Sequence, residues 1–524
     1  MNRPRTAIRN GICIAAVAAV GLTAGVMYAA QTDSGVSAAP VDALAGPGPV
    51  FRPPLILNSH PPEGRISNLY GGPGIDGNAQ VATDGAGHWV AVWHSSDTLG
   101  ERIGKDWDVL VARSVDNGKT WSAKATLNRN AATDEGSDLS PVVTTDEAGT
   151  WIAAWSSNDS FGGAFRRDAD IFFARSTNNG RSWSQPMPLN VTAADDWGDD
   201  ADVRMATNGS GVWVTVWSSN DSLSNRVGGD SDIFVSRSVD DGATWTSPRP
   251  LNTNAMVDRG FDTSPDIVTD GAGRWLVVWS SGESGGGVGA DRDLLIARSD
   301  DDGASWTDPA PLNSNATSDE NSDWSPRLAS DGRGHWVAVW TSADSLGEAI
   351  GVDRDVLISR SIDNGMSWSQ ARALNQNAAV DTREDSSPVI VTDGLGNWLV
   401  AWHAWGGFTY DDGSDADIVA AYSHDNGATW SVPVHANRRA QKDNVDDILP
   451  GLATDGAGHW VAVWQSFHPP SVAAGASEWR VVAVRGTIEG GGALAPAAPQ
   501  GRAAQRDRQD NRKAAGAEGA TKTE

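Results

Sequence analysis

Cysteine is almost absent from this sequence, since its 524 residues contain one, Cys13. A single thiol forms no disulfide within the chain, so disulfides do not hold this fold together in any compartment. Basic residues are also few, because 40 Lys and Arg stand against 67 Asp and Glu, a formal net charge of -27. Phosphate backbones are bound by basic surfaces, so this charge argues against a nucleic-acid partner and suits cations or neutral ligands.

Long hydrophobic runs are confined to the N terminus. Arg3, Arg5 and Arg9 precede an uncharged run from Gly11 to Thr32, which is typical of an export signal and about long enough to span a bilayer. Residues 1–32 are therefore predicted to be a cleaved signal peptide or an uncleaved membrane anchor. Either alternative places the rest of the chain outside the cytoplasm, as a secreted, periplasmic or cell-surface protein.

The two segments that flank the central region lack the patterns of a folded domain. Residues 33–50 are predicted to be a linker. Residues 489–524 contain no aromatic residue and no periodic apolar positions. Such a segment cannot bury enough surface to fold, so a disordered tail is predicted there.

The central region is an internal repeat. A W-x-x-x-W element occurs seven times, at steps of 62 residues with one step of 61; its copies begin at Trp89, Trp151, Trp213, Trp275, Trp336, Trp398 and Trp460. A second motif, S-x-D-x-G-x-[ST]-W with one Asn in place of Asp, occurs six times; its copies begin at Ser114, Ser176, Ser238, Ser299, Ser361 and Ser423.

Each repeat contains four short runs that favour β-strands. In the second copy these runs are SPVVTTD, WIAAW, DIFFARS and SQPMPLN, separated by Gly, Asp and Asn. We name the strands A to D in chain order. One four-stranded unit cannot bury both of its faces, so neighbouring units must stack, and seven units arranged radially give a seven-bladed all-β propeller over residues 51–488.

The seventh unit has no second motif and no strand D. Strand D ends in Leu-Asn in most copies, and the same ending occurs early, in FRPPLILN, where Leu57 and Asn58 precede the first full unit. This N-terminal segment is predicted to supply the outer strand of the last blade, which would close the ring and remove an exposed edge.

The second motif has the composition of a turn between strands C and D. Its Asp can accept backbone N–H groups, its Gly can adopt a positive φ, and its Trp offers a large apolar surface. Asn replaces Asp in the second copy, as a turn acceptor could and a catalytic carboxylate could not. The motif is therefore interpreted as structural; its polar positions are Asp116, Asn178, Asp240, Asp301, Asp363 and Asp425.

This motif resembles the Asp-box, or BNR, repeat of the sialidase superfamily, and the resemblance covers most of residues 55–488. It implies a glycosidase activity of the exo-sialidase type. Catalytic sialidases have six blades, three arginines for the sialate carboxylate, a Tyr and Glu nucleophile pair, an Asp acid/base and an early F/Y-R-I-P motif. A six-bladed sialidase-type propeller is accordingly the alternative fold, although seven units depart from it.

Two further features depart from the sialidase pattern. FRPP, from Phe51 to Pro54, differs from F/Y-R-I-P at its third position and lies in register with strand D, so Arg52 is expected far from the propeller axis. Of the four tyrosines, only Tyr70 and Tyr410 are candidates for ligand-binding loops.

Carboxylates recur on one face of the predicted propeller. Loops D–A and B–C share this face, where ligands are expected, and the turn motifs lie on the other. An Asp begins every strand A, and a D-x-D pair begins strand C in six units. Two interpretations stay open, namely strand-start capping and binding of a cation such as Ca²⁺. The candidate metal ligands are Asp168, Asp170, Asp230 and Asp232.

One position on strand A breaks the repeat. Four residues after the first Asp, three consecutive units carry Arg204, Asp266 and Arg327. This column is either a self-paired plug in the channel or a site for an anion or a sugar carboxylate, which guanidinium groups bind in bidentate fashion.

Tryptophans outside the repeated motifs concentrate on the same face. Trp197, Trp324 and Trp405, with Trp107, are assigned to the D–A and B–C loops or beside them, where indoles either stack on sugar rings or pack the loops. Among loop carboxylates, Glu135, Glu320 and Glu384 are candidate acids or bases, but no nucleophile can be assigned.

The sequence thus predicts an exported propeller that recognises carbohydrate. Glycosidase activity is implied only by the resemblance to sialidases. The alternative is a non-catalytic extracellular interaction scaffold stabilised by cations. In both cases the expected partner is a glycan or a cell-surface ligand, the expected state is a monomer, no cofactor is required, and Ca²⁺ is the candidate ion. Fold analogy does not choose between them.

Overall fold

The computed structural model describes residues 48–58, 75–100, 102–190, 193–194, 197–223, 227–257, 259–282, 288–289, 291–313, 316, 321–375, 377–380, 382–406, 415–436, 444–468 and 478–488. Residues 1–32, most of the expected linker, the tail from 489, Glu320, Tyr70 and Tyr410 lie outside this part. Within it, no helix is long and apolar enough to cross a membrane.

In the described part of the chain, twenty-nine strands form seven antiparallel sheets. Blade 1 contains β3 (Asp76–Thr83), β4 (Trp89–Ser95), β5 (Asp108–Ser114) and β6 (Ala125–Thr126). Blade 2 contains β7 (Asp138–Thr145), β8 (Trp151–Ser157), β9 (Asp170–Ser176) and β10 (Met187–Pro188). Blade 3 contains β11 (Asp200–Thr207), β12 (Trp213–Ser219), β13 (Asp232–Ser238) and β14 (Arg249–Pro250).

The next three blades follow the same order. Blade 4 contains β15 (Asp262–Thr269), β16 (Trp275–Ser281), β17 (Asp293–Ser299) and β18 (Ala310–Pro311). Blade 5 contains β19 (Asp323–Ser330), β20 (Trp336–Ser342), β21 (Asp355–Ser361) and β22 (Arg372–Ala373). Blade 6 contains β23 (Asp385–Thr392), β24 (Trp398–Trp405), β25 (Ala416–Ser423) and β26 (Val434–His435).

Blade 7 closes the ring with strands from both ends of the repeat. It contains β27 (Asp447–Thr454), β28 (His459–His468) and β29 (Glu478–Ile488), with β1 (Pro49–Phe51) and β2 (Leu55–Ile56) paired to β29. The predicted seven-bladed fold and its N-terminal closure are confirmed, and the six-bladed alternative is wrong. Strand β1 begins two residues before the boundary at 51 that the sequence suggested.

The core lies between blades. Seven clusters of buried apolar side chains each combine residues of two adjacent blades. The W-x-x-x-W tryptophans dominate them because strands B and C are covered on both faces; in blades 1 to 6 all twelve of these indoles are less than 2% exposed. Removing such a side chain costs about 3–5 kcal/mol, so the Trp pattern that marks each repeat also holds the blades together.

The second motif forms a tight turn in each of blades 1 to 6. In blade 1, Asp116 Oδ1 accepts hydrogen bonds from the Ser114 hydroxyl (2.8 Å) and the Thr120 backbone N–H (2.9 Å). Asn178 Oδ1 accepts the corresponding backbone bond from Ser182 at 3.0 Å. For Asp301, hydrogen bonds from the hydroxyl and backbone of Ser305 lower the pKa to about 2. These contacts are local, and they shape the turn.

Candidate functional site

A small cavity lies on the propeller axis, where the seven innermost strands begin. Its volume is about 230 Å³, and polar side chains form much of its wall. The lining residues used below are Asp202, Ser264, Ser325, Ser387, Arg204 and Arg327. Because strand A enters from the D–A loop, the cavity lies on the face that sequence analysis assigned to ligands.

A bulge in every strand A shapes the mouth of this cavity. The pairing of strands A and B shifts register after the second residue of strand A in all seven blades. The next residue has a positive φ, between 49° and 55°; these residues are Asn78, Ser140, Asp202, Ser264, Ser325, Ser387 and Leu449. Bulges redirect side chains near functional sites, and here six of the seven are polar and surround the opening.

Arg204, Asp266 and Arg327 lie next to one another on β11, β15 and β19. Asp266 Oδ1 is 3.9 Å from Arg204 Nε, and Asp266 Oδ2 accepts a hydrogen bond of 2.7 Å from the Leu328 backbone N–H. Burial raises the pKa of Asp266, although the charges of Arg327 and Arg204 oppose the shift. Burial and the neighbouring Arg204 lower the pKa of Arg327 to about 10, so this guanidinium is charged at neutral pH.

Both guanidinium groups keep most of their donors available. Arg204 Nη1 donates to the Val203 carbonyl at 2.9 Å, and Arg327 Nη1 donates to the Pro326 carbonyl at 2.7 Å. Within the described part of the chain, each group makes only that one hydrogen bond. A guanidinium has five N–H donors, so the column is not a fully self-paired plug.

The three candidate tryptophans have different surroundings. Trp197, in the loop between blades 2 and 3, is 78% exposed, and the Arg166 guanidinium lies 3.8 Å from its ring centre. Trp324 is the second residue of β19, and not part of a loop as expected; Arg354 lies 4.9 Å from its ring. Trp405 ends β24 and is 38% exposed, while Tyr410 lies outside the described residues.

The aspartates that begin strand A join separate strands and blades. Asp76 accepts hydrogen bonds from the Trp93 indole at 3.0 Å and from Asn58, which belongs to blade 7. Asn128, the last residue of the Leu-Asn pair of blade 1, donates to Asp108 at 2.8 Å and to Asp138 of blade 2 at 2.6 Å. At these positions the aspartates connect strands and blades through Asn and Trp side chains.

The predicted metal ligands lie on the same face. Asp170 and Asp232 are buried and accept hydrogen bonds from Asn190 (2.8 Å) and Asn252 (2.7 Å). Asp168 has two shielded oxygens without a hydrogen-bond donor in the described residues, and Asp230 has one. The structure does not bring these two pairs together, because they belong to blades 2 and 3.

Two of the remaining candidate acids or bases, Glu135 and Glu384, lie in the described part of the chain, and each contacts an arginine. Glu135 is exposed and lies 3.6 Å from Arg167, and Glu384 lies 3.3 Å from Arg354. Arg52 is exposed on the outer edge of blade 7, as its register predicted, so FRPP is not an inner-strand motif. Among the described residues the only tyrosine is Tyr422, which packs beside the core cluster between blades 6 and 7.

Comparison with protein families gives one match. Residues 99–315 match the BNR repeat-like domain, a range that contains four of the six turn motifs and runs from blade 1 to blade 4. These turns are similar to Asp-box (BNR) repeats, and the chain folds as a seven-bladed β-propeller. A search of curated protein sequences finds no significant match to this Asp-box propeller.

Solved structures similar to the Asp-box propeller include enzymes that act on carbohydrates. A protein of unknown function from Dyadobacter fermentans has a TM-score of 0.46 at 12% identity, covering 84% of this chain and 100% of that one. A leech intramolecular trans-sialidase scores 0.41 at 13% identity, covering 79% and 68%. An ulvan lyase of polysaccharide lyase family PL25 scores 0.45 at 13% identity, covering 78% and 94%. Every one of these scores is below 0.5, so no inference about the site rests on them.

Proposed function

We propose that the Asp-box propeller binds carbohydrate at its axial cavity and that Arg204 and Arg327 receive an acidic group of the sugar. The observation that carries this proposal is the pair of charged guanidinium groups, each with one hydrogen bond, in the wall of one cavity. Carboxylates are bound by guanidinium groups through two parallel N–H bonds, which add geometric specificity to the charge.

The mouth of the cavity suits the neutral part of a sugar. Sugar hydroxyls need both donors and acceptors, and the bulge residues supply hydroxyls from Ser264, Ser325 and Ser387 and a carboxylate from Asp202. The volume of about 230 Å³ is below the roughly 300–1,000 Å³ of drug-sized ligand sites, so it fits one terminal unit better than an internal stretch of polymer. Exposed Trp197 offers a stacking surface on the same face.

Binding without hydrolysis is the form of this function that the described residues favour. Asp266 has a backbone donor and an arginine neighbour, which fits a residue that positions Arg204 better than a free acid or base. The described residues place no Tyr and Glu pair at the cavity, while a retaining glycosidase needs a nucleophile beside its acid. Export to the cell exterior is also a proposal, because the N-terminal sequence is its sole support.

The test compares binding and turnover in one set of variants. Titration calorimetry with acidic monosaccharides, sialic and uronic acids included, is expected to show binding that neutral hexoses lack. Arg204→Gln/Arg327→Gln removes both charges while using the residue that blade 1 carries at this position, Gln80. We expect this variant to lose at least tenfold in affinity, because each charged hydrogen bond contributes about 1.5–3 kcal/mol.

An exposed arginine provides the control. Arg274→Ala changes a side chain that is 46% exposed on the Asp-box face, and it should leave binding unchanged. Hydrolysis of a panel of fluorogenic glycosides, sialosides included, is measured on the same proteins. Turnover lost in the double variant would assign a glycosidase site to these inner strands, and binding equal in all three proteins would refute the assignment of the cavity.

A further inference from the structure

A second set of oxygen atoms lies between blades 1 and 2, away from the inner-strand column of arginines. Asp106 precedes β5, Asp108 begins it, and Asp134 lies in the loop that leads from blade 1 to blade 2. One oxygen of each of these three carboxylates lies within 4.8 Å of the others. Three carboxylates at this separation repel one another unless a positive charge lies among them.

Shielded oxygens without hydrogen-bond donors point to a missing ligand. Asp108 is 0% exposed; its Oδ1 accepts a hydrogen bond from Asn128 at 2.8 Å, but its Oδ2 has no partner in the described residues. Asp106 Oδ2, Asp134 Oδ1 and Asn130 Oδ1 are equally shielded and without a donor there. Buried oxygens of this kind are normally satisfied by a hydrogen bond or a cation.

The nearby side-chain amides donate to oxygens other than the four shielded ones; Asn128 Nδ2 donates to Asp108 Oδ1 and, at 3.4 Å, to Asp134 Oδ2. Asn130 Nδ2 donates to Asp134 Oδ2 at 2.6 Å and to Asp159 Oδ2 at 2.9 Å, so the amide presents its Oδ1 on the other side. The Gly104 backbone N–H donates to the Ala131 carbonyl at 2.8 Å and joins the two loops. A Cβ at Gly104 would lie 2.0 Å from Asp106 Oδ1, so the loop fits closely around this carboxylate.

The electrostatics agree with this geometry. Burial raises the pKa of Asp108 to about 7, and Asp134 and Asp106 add to the shift. Burial, Asp106 and Asp159 raise the pKa of Asp134 to about 6. No Lys or Arg forms an ion pair with Asp106, Asp108 or Asp134 in the part of the chain that the structure describes.

We propose that Asp106, Asp108, Asp134 and Asn130 bind one Ca²⁺ ion between blades 1 and 2. All four donors are oxygens, and Ca²⁺ accepts 6–8 such ligands in flexible geometry, so water or backbone carbonyls complete its shell. Because the ligands come from the B–C loop and the D–A loop, the ion fixes two loops of the ligand face. This site is independent of which sugar the axial cavity binds.

Part of the donor set recurs along the chain, although the counterpart of Asn130 is Thr192 in blade 2 and Arg439 in blade 6. The first Asp of every D-x-D pair has at least one shielded oxygen without a donor in the described residues; the other copies are Asp168, Asp230, Asp291, Asp353 and Asp415. The sequence also places an Asp six residues after the Asn that ends strand D in every one of these blades; the copies of Asp134 are Asp196, Asp258, Asp319, Asp381 and Asp443. The sequence of the seventh unit has neither feature.

The first measurement is Ca²⁺ stoichiometry by equilibrium dialysis of the full chain after removal of metal with a chelator. Asp134→Asn should bind one ion fewer than the natural chain. The matched control is Asp146→Asn, which alters an aspartate of the A–B turn on the opposite face; Asn208 occupies this position in blade 3 with the same backbone hydrogen bonds. Asp146→Asn should bind as many ions as the natural chain.

Thermal unfolding separates loss of the ion from damage to the fold. With chelator, Asp134→Asn should melt no lower than the natural chain, because one repelling charge is gone. With Ca²⁺, the natural chain and Asp146→Asn should gain more in Tm than Asp134→Asn does. If Asp134→Asn fails to fold, Asp106→Asn takes its place. Equal stoichiometry in the variant and the natural chain, or no bound Ca²⁺ at millimolar concentration, would overturn the proposal.

Discussion

Single positions in this propeller differ between blades where the backbone stays the same. One such position directly follows the second Trp of each W-x-x-x-W element and lies beside the strand A bulge of its own blade or of the next one. In blades 1 to 7 it holds His94, Ser156, Ser218, Ser280, Thr341, His403 and Gln465. In blade 6, His403 Nε2 and the Ser386 hydroxyl are hydrogen bonded at 2.9 Å, and His403 is 7% exposed. Burial lowers the pKa of this imidazole to about 4. The side chain therefore folds in its neutral form.

This burial predicts a loss of stability in mild acid. The unfolded chain takes up a proton on His403 near pH 6.5 and the folded chain only near pH 4, so the contribution falls as pH drops through this window. The full shift corresponds to about 3 kcal/mol. His403→Thr, which introduces the residue of blade 5, should lose less free energy of unfolding between pH 7 and pH 4.5 in urea titrations. Parallel pH profiles for both proteins would show that His403 does not carry the effect.

Among the elements, the Asp-box turn connects blades as well as strands. Arg175 Nε of blade 2 donates to the Asp241 carbonyl in the turn of blade 3 at 2.8 Å, and Arg237 repeats this contact with Asp302 at 2.6 Å. The glycine of each turn also approaches strand B of the preceding blade. A Cβ at Gly180 would lie 2.6 Å from Val90 Cγ2, while a Cβ at Gly100 would meet nothing within 4 Å.

These two glycines separate conformational strain from crowding. Both have a positive φ, 69° at Gly180 and 75° at Gly100, so alanine costs each about 1–2 kcal/mol. Gly180→Ala should lose about 1–3 kcal/mol more than Gly100→Ala in urea unfolding, because it also overpacks the interface with Val90. Adding Val90→Ala should return part of this difference in a double-mutant cycle. Equal losses at Gly180 and Gly100 would mean that the interface accommodates the methyl group.

At the scale of the whole molecule, the sequence predicted the fold better than the site. Repetition made the fold visible, because seven Trp pairs and six turns recur at nearly constant spacing. The strand A bulges at the cavity could not be predicted in this way, because Ser264, Ser325 and Ser387 adopt a positive φ at positions where no glycine indicates it. Asp134, which we propose as a Ca²⁺ ligand, was not predicted from the sequence for a related reason. Its partners Asp106 and Asp108 are distant in sequence, and only the stacking of loops brings the three carboxylates together.

Closure of the ring depends on eleven described residues, 48–58, that precede the first full repeat. Phe51 is 7% exposed in the cluster between blades 6 and 7, and Leu57 is 5% exposed in the cluster between blades 7 and 1. Asn58 Oδ1 accepts the Val481 backbone N–H at 3.2 Å, and its amide donates to Asp76. The segment therefore contacts three blades and covers the outer edge of β29.

Removing this segment should open the ring. A chain that begins at residue 59 loses β1 and β2, so β29 keeps an unpaired edge that can pair with another copy. We expect a lower Tm and dimers or aggregates in size-exclusion chromatography, whereas a chain that begins at residue 48 should be a monomer with the Tm of the full chain. A synthetic peptide of residues 48–58 should restore part of the lost Tm by binding the open edge. If the chain from 59 is as stable and as monomeric as the chain from 48, strand β29 does not need its partner and closure rests on blade packing alone.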